Sequence, residues 1–310
     1  MDAPAARRLP LHDTGDPAVE EARFFPQAIV NVTNRCNLRC THCFVYRDGN
    51  PNEPVDEPTD ELLIEQLRAL RDRHRIQAML WMGGEPLVKK ALLREGVQLF
   101  EKNTITTNGT IALADFSDVT TNLLYVVSLD GPERYNDATR GKGVFARVMK
   151  NLSRLPADFP HVVQCQCVVT RKNEGVLREF VEIVRDSPFH HLTFSFHVPA
   201  KNDSTGNAWS TLEQRDSAVR RVLALKQEFG DVVRNRTRSL ELMLSDNDPR
   251  QVTSRCPPRE FILPLYLEGS KLVSPFCCYG DDVDCDRCGG WVVFETAALL
   301  ELAADAAAPL

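Results

Sequence analysis

The sequence predicts an α/β fold with a parallel sheet, followed by a small cysteine-rich region. Six short apolar stretches alternate with helical stretches between residues 27 and 198, as expected for parallel strands joined by crossover helices. Polar or glycine-containing turns follow several of these strands, at the ends where α/β barrels bind ligands. Beyond residue 255 the pattern changes, because five cysteines surround a short β-hairpin pattern.

The individual elements follow from apolar spacing and from turn residues. Thr59 is a candidate N-cap, because leucines recur after it at helical spacing, at positions 62, 63, 67 and 70. The predicted strands cover residues 27–33, 76–82, 104–107, 123–129, 162–170, 191–198, 261–267 and 271–273. The other predicted helices cover residues 87–102, 143–155, 174–185 and 211–229, and an alanine-rich helix closes the chain.

The elements group into four regions. We expect an N-terminal extension at 1–25, the main α/β body at 26–207, a linking helical region at 208–254 and a cysteine-rich domain at 255–310. The length of 310 residues and a hydrophobic content of 43% are ordinary for a globular protein of this kind.

Charge and cysteine usage narrow the class of protein. The net charge of −6 argues against binding of nucleic acid through phosphates. No apolar run approaches the roughly 18 residues that a membrane span requires, and the N-terminus has no apolar signal sequence. The ten cysteines fall in three groups, which without an export signal favours metal binding in a reducing compartment. We therefore expect a cytoplasmic protein without nucleic-acid or membrane partners.

The first cysteine group defines the candidate catalytic centre. Cys36, Cys40 and Cys43 lie at C-x3-C-x2-C spacing directly after the first predicted strand. Three thiolates on so short a loop can bind one face of a [4Fe-4S] cluster and leave the fourth iron without a protein ligand. A zinc site is the alternative, but it requires a fourth nearby ligand, and His42 is poorly placed to provide it.

The segment Asn34–Cys43, together with Gly83-Gly84-Glu85-Pro86, resembles the motifs of the radical S-adenosylmethionine (SAM) superfamily. The resemblance implies an open, partial (β/α)6 TIM-type barrel. It also implies that SAM chelates the open iron of the cluster and is cleaved to methionine and a 5′-deoxyadenosyl radical, which abstracts hydrogen from a substrate. Such an enzyme requires an electron donor, for example a flavodoxin or a ferredoxin.

The same resemblance indicates which residues contact SAM. Gly83 and Gly84 allow close approach of the backbone to a ligand, and Glu85 is the expected acceptor for the SAM ammonium group. Arg140 resembles the arginine that pairs with the SAM carboxylate, and His42 stands where relatives often have an aromatic residue against adenine. The full expected set is His42, Gly83, Gly84, Glu85, Thr107, Asn108, Ser128, Asp130 and Arg140. The alternatives are an ordinary turn with Pro86 at the start of a helix, and a capping role for Asp130.

Alternation along two strands suggests a substrate-binding face. Polar side chains share one face of strands 162–170 and 191–198, opposite Cys165 and Cys167 or apolar residues. We expect the polar face to line the barrel interior and to bind a small polar substrate, although backbone or water could satisfy some of these groups. The candidate substrate residues are Gln164, Gln166, Ser195 and His197. We expect Cys165 and Cys167 to be buried packing thiols.

The last cysteine group has the pattern C-x20-C-C-x6-C-x2-C. This order resembles the twitch half of a SPASM domain, which holds one auxiliary [4Fe-4S] cluster. The resemblance implies Cys256, Cys277, Cys285 and Cys288 as ligands. Cys278 could replace Cys277, or act as a catalytic thiol that donates a hydrogen atom to a product radical. A zinc ribbon is the alternative for this region.

Taken with the resemblance, these features predict a radical SAM enzyme that tailors a small polar metabolite, such as a sugar, nucleoside or amino-acid derivative, in natural-product biosynthesis. The expected reaction is dehydrogenation, epimerisation, decarboxylation or rearrangement. One alternative is a maturase of a ribosomal precursor peptide, although the residues before the first strand are too few for a separate peptide-recognition domain. The other alternative is a non-enzymatic iron–sulfur or zinc protein.

Overall fold

The computed structural model describes residues 23–47 and 57–307. Most of the predicted N-terminal extension and most of the loop after the first cysteine group lie outside the described residues. Within them, no helix is sufficiently long and apolar to span a membrane.

The central feature is an open sheet of eight strands in the order β6-β5-β4-β3-β2-β1-β7-β8. Neighbours β1–β2, β2–β3, β5–β6 and β1–β7 are parallel, whereas β7–β8 is an antiparallel hairpin. The strands are β1 (Gln27–Asn31), β2 (Ala78–Met82), β3 (Lys102–Thr107), β4 (Leu123–Ser128), β5 (Val162–Val169), β6 (His191–Phe196), β7 (Ile262–Glu268) and β8 (Lys271–Val273). The sheet confirms the predicted α/β class and the partial, unclosed TIM-type arrangement.

Ten α-helices accompany the sheet in the described residues. They are α1 (Asp60–His74), α2 (Lys90–Gly96), α3 (Glu133–Arg140), α4 (Val144–Leu152), α5 (Leu177–Arg185), α6 (Leu212–Phe229), α7 (Thr237–Glu241), α8 (Pro249–Arg255), α9 (Pro258–Phe261) and α10 (Trp291–Ala307). The hydroxyl of Thr59 accepts from Leu62 N at the start of α1, and Thr211 caps α6 in the same way. Both caps satisfy amide groups that the first helical turn leaves without partners.

Several elements differ from the prediction, among them the short helices α7, α8 and α9, which were not predicted individually. The helix expected over 87–102 is a 3₁₀ turn, Pro86–Lys89, followed by the short α2, and β3 already begins at Lys102. Helix α3 was not predicted, because its sequence is polar and it buries only Asn136 and Arg140, so it has no apolar period. Strand β7 pairs in parallel with β1, so the C-terminal hairpin extends the main sheet.

The chain divides into two compact units. The first contains the described residues up to 126, with 150–162 and 261–282. The second contains 127–149, 163–260 and the described residues from 283 onward. The predicted domain boundaries remain predictions.

The two faces of the sheet in the first unit differ in what covers them. Met79 and Trp81 are fully buried on one face of β2, where Trp81 packs edge-on against Phe100 and donates to Asn103 Oδ1 at 2.9 Å. Because side chains alternate along a strand, Leu80 and Met82 lie on the opposite face, which we call the inner face.

The parallel register extends the inner face to β1. Ile29 pairs with Leu80 and Asn31 with Met82, so Ile29 and Asn31 share that face.

His161 is a buried histidine that the fold holds neutral. Phe116 N donates to His161 Nε2 at 3.0 Å, so this nitrogen carries no proton. Burial lowers the pKa of His161, and the nearby Asp115 carboxylate offsets only part of that effect. Burial lowers the pKa of His74 as well, and His74 Nδ1 contacts Arg23 O at 2.8 Å.

We therefore expect acidification to destabilise the protein. Below the ordinary histidine pKa of about 6.5, His161 becomes protonated in the unfolded chain but stays neutral in the folded protein. The free energy of unfolding therefore decreases as pH falls from 7 towards 5. The loss is at most about 1.4 kcal/mol per pH unit for each histidine. Urea unfolding of the iron-free protein at pH 7, 6 and 5 measures it. A His161→Gln variant should show a shallower pH dependence; an unchanged slope would contradict the assignment.

Candidate active site

The loop Asn34–Cys43, here called the cluster loop, follows β1 directly. Cys43 N donates to Cys40 O at 3.2 Å, which closes a turn between two of the cysteines. Leu38 N lies 3.4 Å from Cys36 Sγ and donates to it. All three cysteines are partly exposed and form no disulfide. The loop therefore presents three thiols that form no disulfide, at the carboxyl end of a central strand.

The glycines of the Gly83–Glu85 turn pack against the backbone of the cluster loop. The β1–β2 pairing continues past both strands, since Gly84 N donates to Thr33 O at 2.8 Å and Glu85 N to Arg35 O at 2.9 Å. A Cβ at Gly83 would overlap Thr33 O, and a Cβ at Gly84 would overlap Arg35 O and the Tyr46 hydroxyl. Gly83 also has φ +143°, which a side chain rarely adopts. These glycines thus approach the backbone of Thr33 and Arg35 closely, and their predicted approach to a ligand stays a prediction.

Glu85 ties the ends of β2 and β3 together. The carboxylate is fully buried and accepts from Thr107 Oγ1 at 2.7 Å, Leu87 N at 3.0 Å and Asn108 N at 2.8 Å. Burial raises the pKa of Glu85, and these three donors work against that rise. The predicted contact of Glu85 with the SAM ammonium group stays a prediction, while its contacts to Thr107 and Asn108 give it a role in shaping the site.

Loss of one donor to this buried carboxylate should be measurable. We expect Thr107→Val to reduce the free energy of unfolding by about 1.5–3 kcal/mol, the usual value for a hydrogen bond to a charged group. Thr106→Val on the same strand is the control, because Thr106 is only half-buried. Urea unfolding of the iron-free variants gives both values, and equal losses would show that Thr107 does not support Glu85.

A polar network joins the cluster loop to the end of β3. Asn108 Nδ2 donates to Asn37 Oδ1 at 2.9 Å and lies 3.9 Å from Cys36 Sγ. Thr110 Oγ1 donates to Asn108 Oδ1 at 2.6 Å and accepts from Asn37 Nδ2 at 2.8 Å. Asn37 and Thr110 were missed in the sequence, although both stand inside or beside motifs that were recognised.

The chemistry of the three thiols suits a cluster. Burial raises the pKa of Cys36, Leu38 N–H lowers it, and the negative charges of Glu85 and Cys43 raise it again. Cys36 and Cys43 are therefore close enough to interact. As the side chains stand in the described ranges, no group of three His, Cys, Asp or Glu residues forms a ready-made metal site. Cysteine is nevertheless the ligand that iron–sulfur clusters require, and all three thiols lie on one short loop.

The segment after the cluster loop contacts the Cys277–Asp282 segment within the first unit. Arg47 forms an ion pair with Asp282 at 2.9 Å and donates to Tyr279 O at 2.7 Å. Phe44 packs edge-on against Tyr279, with ring centroids 5.0 Å apart. Tyr266 donates to Cys278 O at 2.6 Å. The structure thus brings the Cys277–Cys278 pair next to the cluster loop, which the sequence did not predict.

In the second unit, Asp130 and Arg140 form a buried ion pair. Arg140 Nε lies 2.7 Å from Asp130 Oδ2, and the side chains are only 8% and 3% exposed. Asp130 Oδ1 also accepts from Val168 N at 3.1 Å, and Asn173 Nδ2 donates to Asp130 O at 2.8 Å. Ser128, at the end of β4, is half-buried. Asp130 and Arg140, both predicted SAM contacts, therefore contact each other; their contacts to SAM stay predictions.

On strands β5 and β6, the two cysteines are buried as predicted, but one predicted substrate residue, Ser195, is already bonded to the protein backbone. Cys165 and Cys167 are fully buried, as predicted, and burial followed by the charge of Asp130 raises the pKa of each thiol. Ser195 is 3% exposed and accepts from Trp291 N at 3.2 Å, so the backbone of α10 satisfies it.

The other substrate candidates differ in exposure and in partners. Gln164 is buried and Gln166 half-buried. His197 Nε2 lies 3.4 Å from Asp203 Oδ2.

Asn31, Thr193 and Ser274 are buried polar side chains without a hydrogen-bond partner among the described residues. Asn31, on the inner face of β1, is fully buried and neither its Oδ1 nor its Nδ2 is bonded. Thr193 Oγ1 on β6 is likewise buried without a partner, and Thr193 pairs with Gln166. Buried polar groups without partners are rare and point to a ligand or a water molecule. Asn31 could have been recognised as a candidate ligand-binding residue, because it is a polar residue in an otherwise apolar strand; it was not predicted from the sequence.

Three of the five C-terminal cysteines lie in the second unit. Cys256 follows α8 with φ 44°, and α8 packs against the 3₁₀ turn Cys285–Arg287. Cys288 N donates to Cys285 O at 3.2 Å, and Gly290 N donates to Cys288 Sγ at 3.4 Å. Cys277 and Cys278 belong to the first unit. The auxiliary ligand set therefore stays a prediction.

Comparison with known proteins agrees with this geometry. The model of the Radical SAM superfamily matches residues 30–184, half of the chain, and the protein is therefore a radical SAM enzyme. Membership implies one [4Fe-4S] cluster and SAM, and it implies a reductant and a substrate. These findings support an enzyme rather than the non-enzymatic alternative.

Among curated proteins, pre-heme d1 synthase from Dinoroseobacter shibae is 25% identical over 77% of this chain and 59% of its own length. The mitochondrial GTP 3′,8-cyclase of Arabidopsis thaliana is 31% identical over 64% of this chain and 53% of its own. The chain thus spans somewhat more than half the length of these relatives.

Solved structures share the fold. The structure titled anSMEcpe with bound AdoMet has a TM-score of 0.62 at 17% identity, covering 89% of this chain and 81% of that one. Streptococcus suis SuiB bound to S-adenosylmethionine has a TM-score of 0.54 at 16% identity, covering 68% of this chain and 49% of that one.

Proposed function

We propose that this enzyme binds its catalytic cluster through Cys36, Cys40 and Cys43, and uses SAM to modify a small polar metabolite. The observation that carries the proposal is the bonding of the cluster loop to two neighbouring strand ends, through Glu85 after β2 and through Asn108 after β3. When bound, the cluster supplies the electron that cleaves SAM reductively. The protein binds and orients the reactants and excludes water.

The residues at the cluster loop have distinct roles in this proposal. Asn108 and Leu38 N donate towards Cys36 Sγ, and donors to cluster sulfur favour its anionic form. Glu85 holds the ends of β2 and β3 so that Thr107 and Asn108 stand beside the loop. SAM would lie against this wall, with His42 as a further contact. The contacts of Ser128, Asp130 and Arg140 with SAM stay predictions from the sequence.

The substrate class is inferred from polar groups that the fold leaves without partners. Within the first unit, Asn31 offers two donors and an acceptor on the inner face of β1. Within the second unit, and considered by itself, Thr193 offers a hydroxyl on β6. Such groups suit hydroxyl, amide or carboxylate groups of a sugar, nucleoside or amino-acid derivative. Gln164, Gln166 and His197 would add contacts, whereas Ser195 is already bonded to α10. The name of one relative, GTP 3′,8-cyclase, is that of an enzyme with a nucleotide substrate.

Cys256, Cys285, Cys288 and either Cys277 or Cys278 would hold an auxiliary [4Fe-4S] cluster. The contact of α8 with the Cys285–Arg287 turn supports this set, as does the Gly290 N–H directed at Cys288 sulfur. The cysteine left over, Cys278 or Cys277, would be the thiol available for hydrogen-atom donation.

Peptide maturation is the second candidate function. Its support is the fold likeness to SuiB, which has also been solved with its precursor peptide SuiA at a TM-score of 0.52. We favour the small metabolite because Asn31 on β1 is buried with its whole amide group unbonded.

Anaerobic reconstitution tests the proposal. The iron-loaded protein, reduced with dithionite, should convert SAM to 5′-deoxyadenosine, and a Cys36→Ala variant should not. Panels of nucleosides, sugars, amino acids and short peptides are then compared for stimulation of 5′-deoxyadenosine formation. Stimulation by peptides alone would favour the maturase, and absence of any SAM cleavage by loaded, reduced protein would overturn the proposal.

A further inference from the structure

Arg215 is a buried cation on α6. Its side chain is held by two carbonyl groups, since Nη1 donates to Cys288 O and Nη2 to Met243 O, each at 2.8 Å. The residue is 2% exposed, and its Nε has no partner in the described residues. The sequence indicates that Arg215 is buried, because it shares a helix face with the buried apolar residues Leu212, Val219 and Val222.

Arg215 lacks an anionic partner in the part of the chain that the structure describes. No carboxylate there lies within 4.0 Å of its guanidinium. The adjacent Asp216 accepts instead from Ser245 N at 2.9 Å and Ser245 Oγ at 2.5 Å. Arginine stays protonated in proteins, and a buried charge without a counter-ion is costly. The fold therefore keeps a positive charge whose bonded partners, among the described residues, are two carbonyl groups.

The residues around Arg215 include cysteines of the proposed auxiliary cluster, an anionic group whose charge Arg215 could balance. One of its two carbonyl partners belongs to Cys288, whose sulfur accepts from Gly290 N. Cys285 lies one turn before, next to the helix that ends at Cys256. A [4Fe-4S] cluster held by four thiolates is a net anion, and its potential depends on net charge and on hydrogen bonds to sulfur.

We propose that Arg215 is the counter-charge of the auxiliary cluster and raises its reduction potential. This rests on the auxiliary cluster proposed above. Reduction adds one negative charge to the cluster, so a fixed positive charge nearby stabilises the reduced state more than the oxidised state. Because Arg215 is excluded from water, its field is screened much less than that of a surface arginine. Arg215 is a positioning and tuning residue, and it does not contact the reacting atoms.

The test uses the full chain with Cys36, Cys40 and Cys43 all changed to alanine, so that only the auxiliary cluster is observed. In a redox titration followed by electron paramagnetic resonance, Arg215→Gln should lower the ratio of reduced to oxidised cluster at least tenfold at a fixed potential. That is about 59 mV for a one-electron couple. Arg215→Lys, which keeps the charge, should shift the ratio less. Arg220→Gln is the matched control, since Arg220 lies on the same helix, 57% exposed and paired with Asp246.

A variant whose charge changes with pH separates the effect of charge from an effect of misfolding, because both charge states are measured in the same protein. In Arg215→His, the potential should rise as pH falls from 8 to 5.5 and the imidazole becomes charged, beyond any change in the parent protein. A reduction potential of Arg215→His that does not change with pH more than that of the parent would overturn the role of Arg215. An Arg215→Gln potential equal to that of the parent would do the same. Neither result would contradict the auxiliary cluster itself. If the triple-alanine protein binds no cluster when reconstituted with iron and sulfide, both the auxiliary cluster and the inference fail.

Discussion

Replacing Gly84 with alanine is expected to abolish productive iron loading and to lower 5′-deoxyadenosine formation by at least about a hundredfold, the usual cost of displacing a reactive group by about 1 Å. The new Cβ would overlap both Arg35 O and the Tyr46 hydroxyl. The turn cannot move away freely, because Gly84 N is bonded to Thr33 O and Glu85 N to Arg35 O in the cluster loop. The loop that carries Cys36 would have to shift instead.

Iron content per chain and SAM cleavage after anaerobic reconstitution measure the effect. Gly175→Ala is the matched control, because a Cβ there meets no atom within 4 Å, and its φ is not positive. Normal iron loading in Gly84→Ala would show that the packing of this turn does not shape the cluster loop. A folded but iron-poor variant would show that it does.

Asp130→Asn is expected to cost about 3–5 kcal/mol of folding stability, because it leaves the Arg140 guanidinium buried without its counter-ion. Both side chains are more than nine-tenths buried, so water screens the pair poorly. Asn would also make a weaker acceptor for Val168 N, which joins Asp130 to β5. The iron-free protein should unfold at markedly lower urea concentration, independently of any effect on SAM.

The exposed pair Arg134–Glu179 provides the comparison for Asp130→Asn. These side chains are 60% and 43% exposed, so water screens the pair and Glu179→Gln should leave the free energy of unfolding nearly unchanged. A double variant, Asp130→Asn with Arg140→Met, should recover part of the stability because it removes the unpaired charge. Equal losses in Asp130→Asn and Glu179→Gln would contradict the buried-pair interpretation.

Local patterns were sufficient for much of the fold. The alternation of apolar strands and helices predicted the parallel sheet, and Thr59 and Thr211 marked two helix starts that the structure contains. Burial of Cys165 and Cys167 followed from strand alternation alone. Helix α3 was not predicted, because the residues it buries, Asn136 and Arg140, are polar and leave no apolar period in the sequence.

Contacts between distant parts of the chain could not be predicted in this way. Strand β7 joins β1 more than two hundred residues away, and Asn34 Nδ2 reaches Leu267 O at 3.3 Å across the same distance in sequence. The pairing of Arg140 with Asp130, and the approach of Arg47 to Asp282, likewise depend on the packed structure. Composition and spacing carry no information about which polar side chain meets which.

The sequence by itself determined the class of chemistry, because three cysteines at this spacing and a glycine-rich turn after the next strand are local features of a short loop. Only the tertiary structure decided what surrounds that loop: Glu85 bonded to β3, Asn108 directed at Cys36, and Asn31 buried without a partner. The physical reason is that ligand type follows from residue identity, whereas burial, pairing and vacant hydrogen-bonding capacity arise only when distant segments pack together.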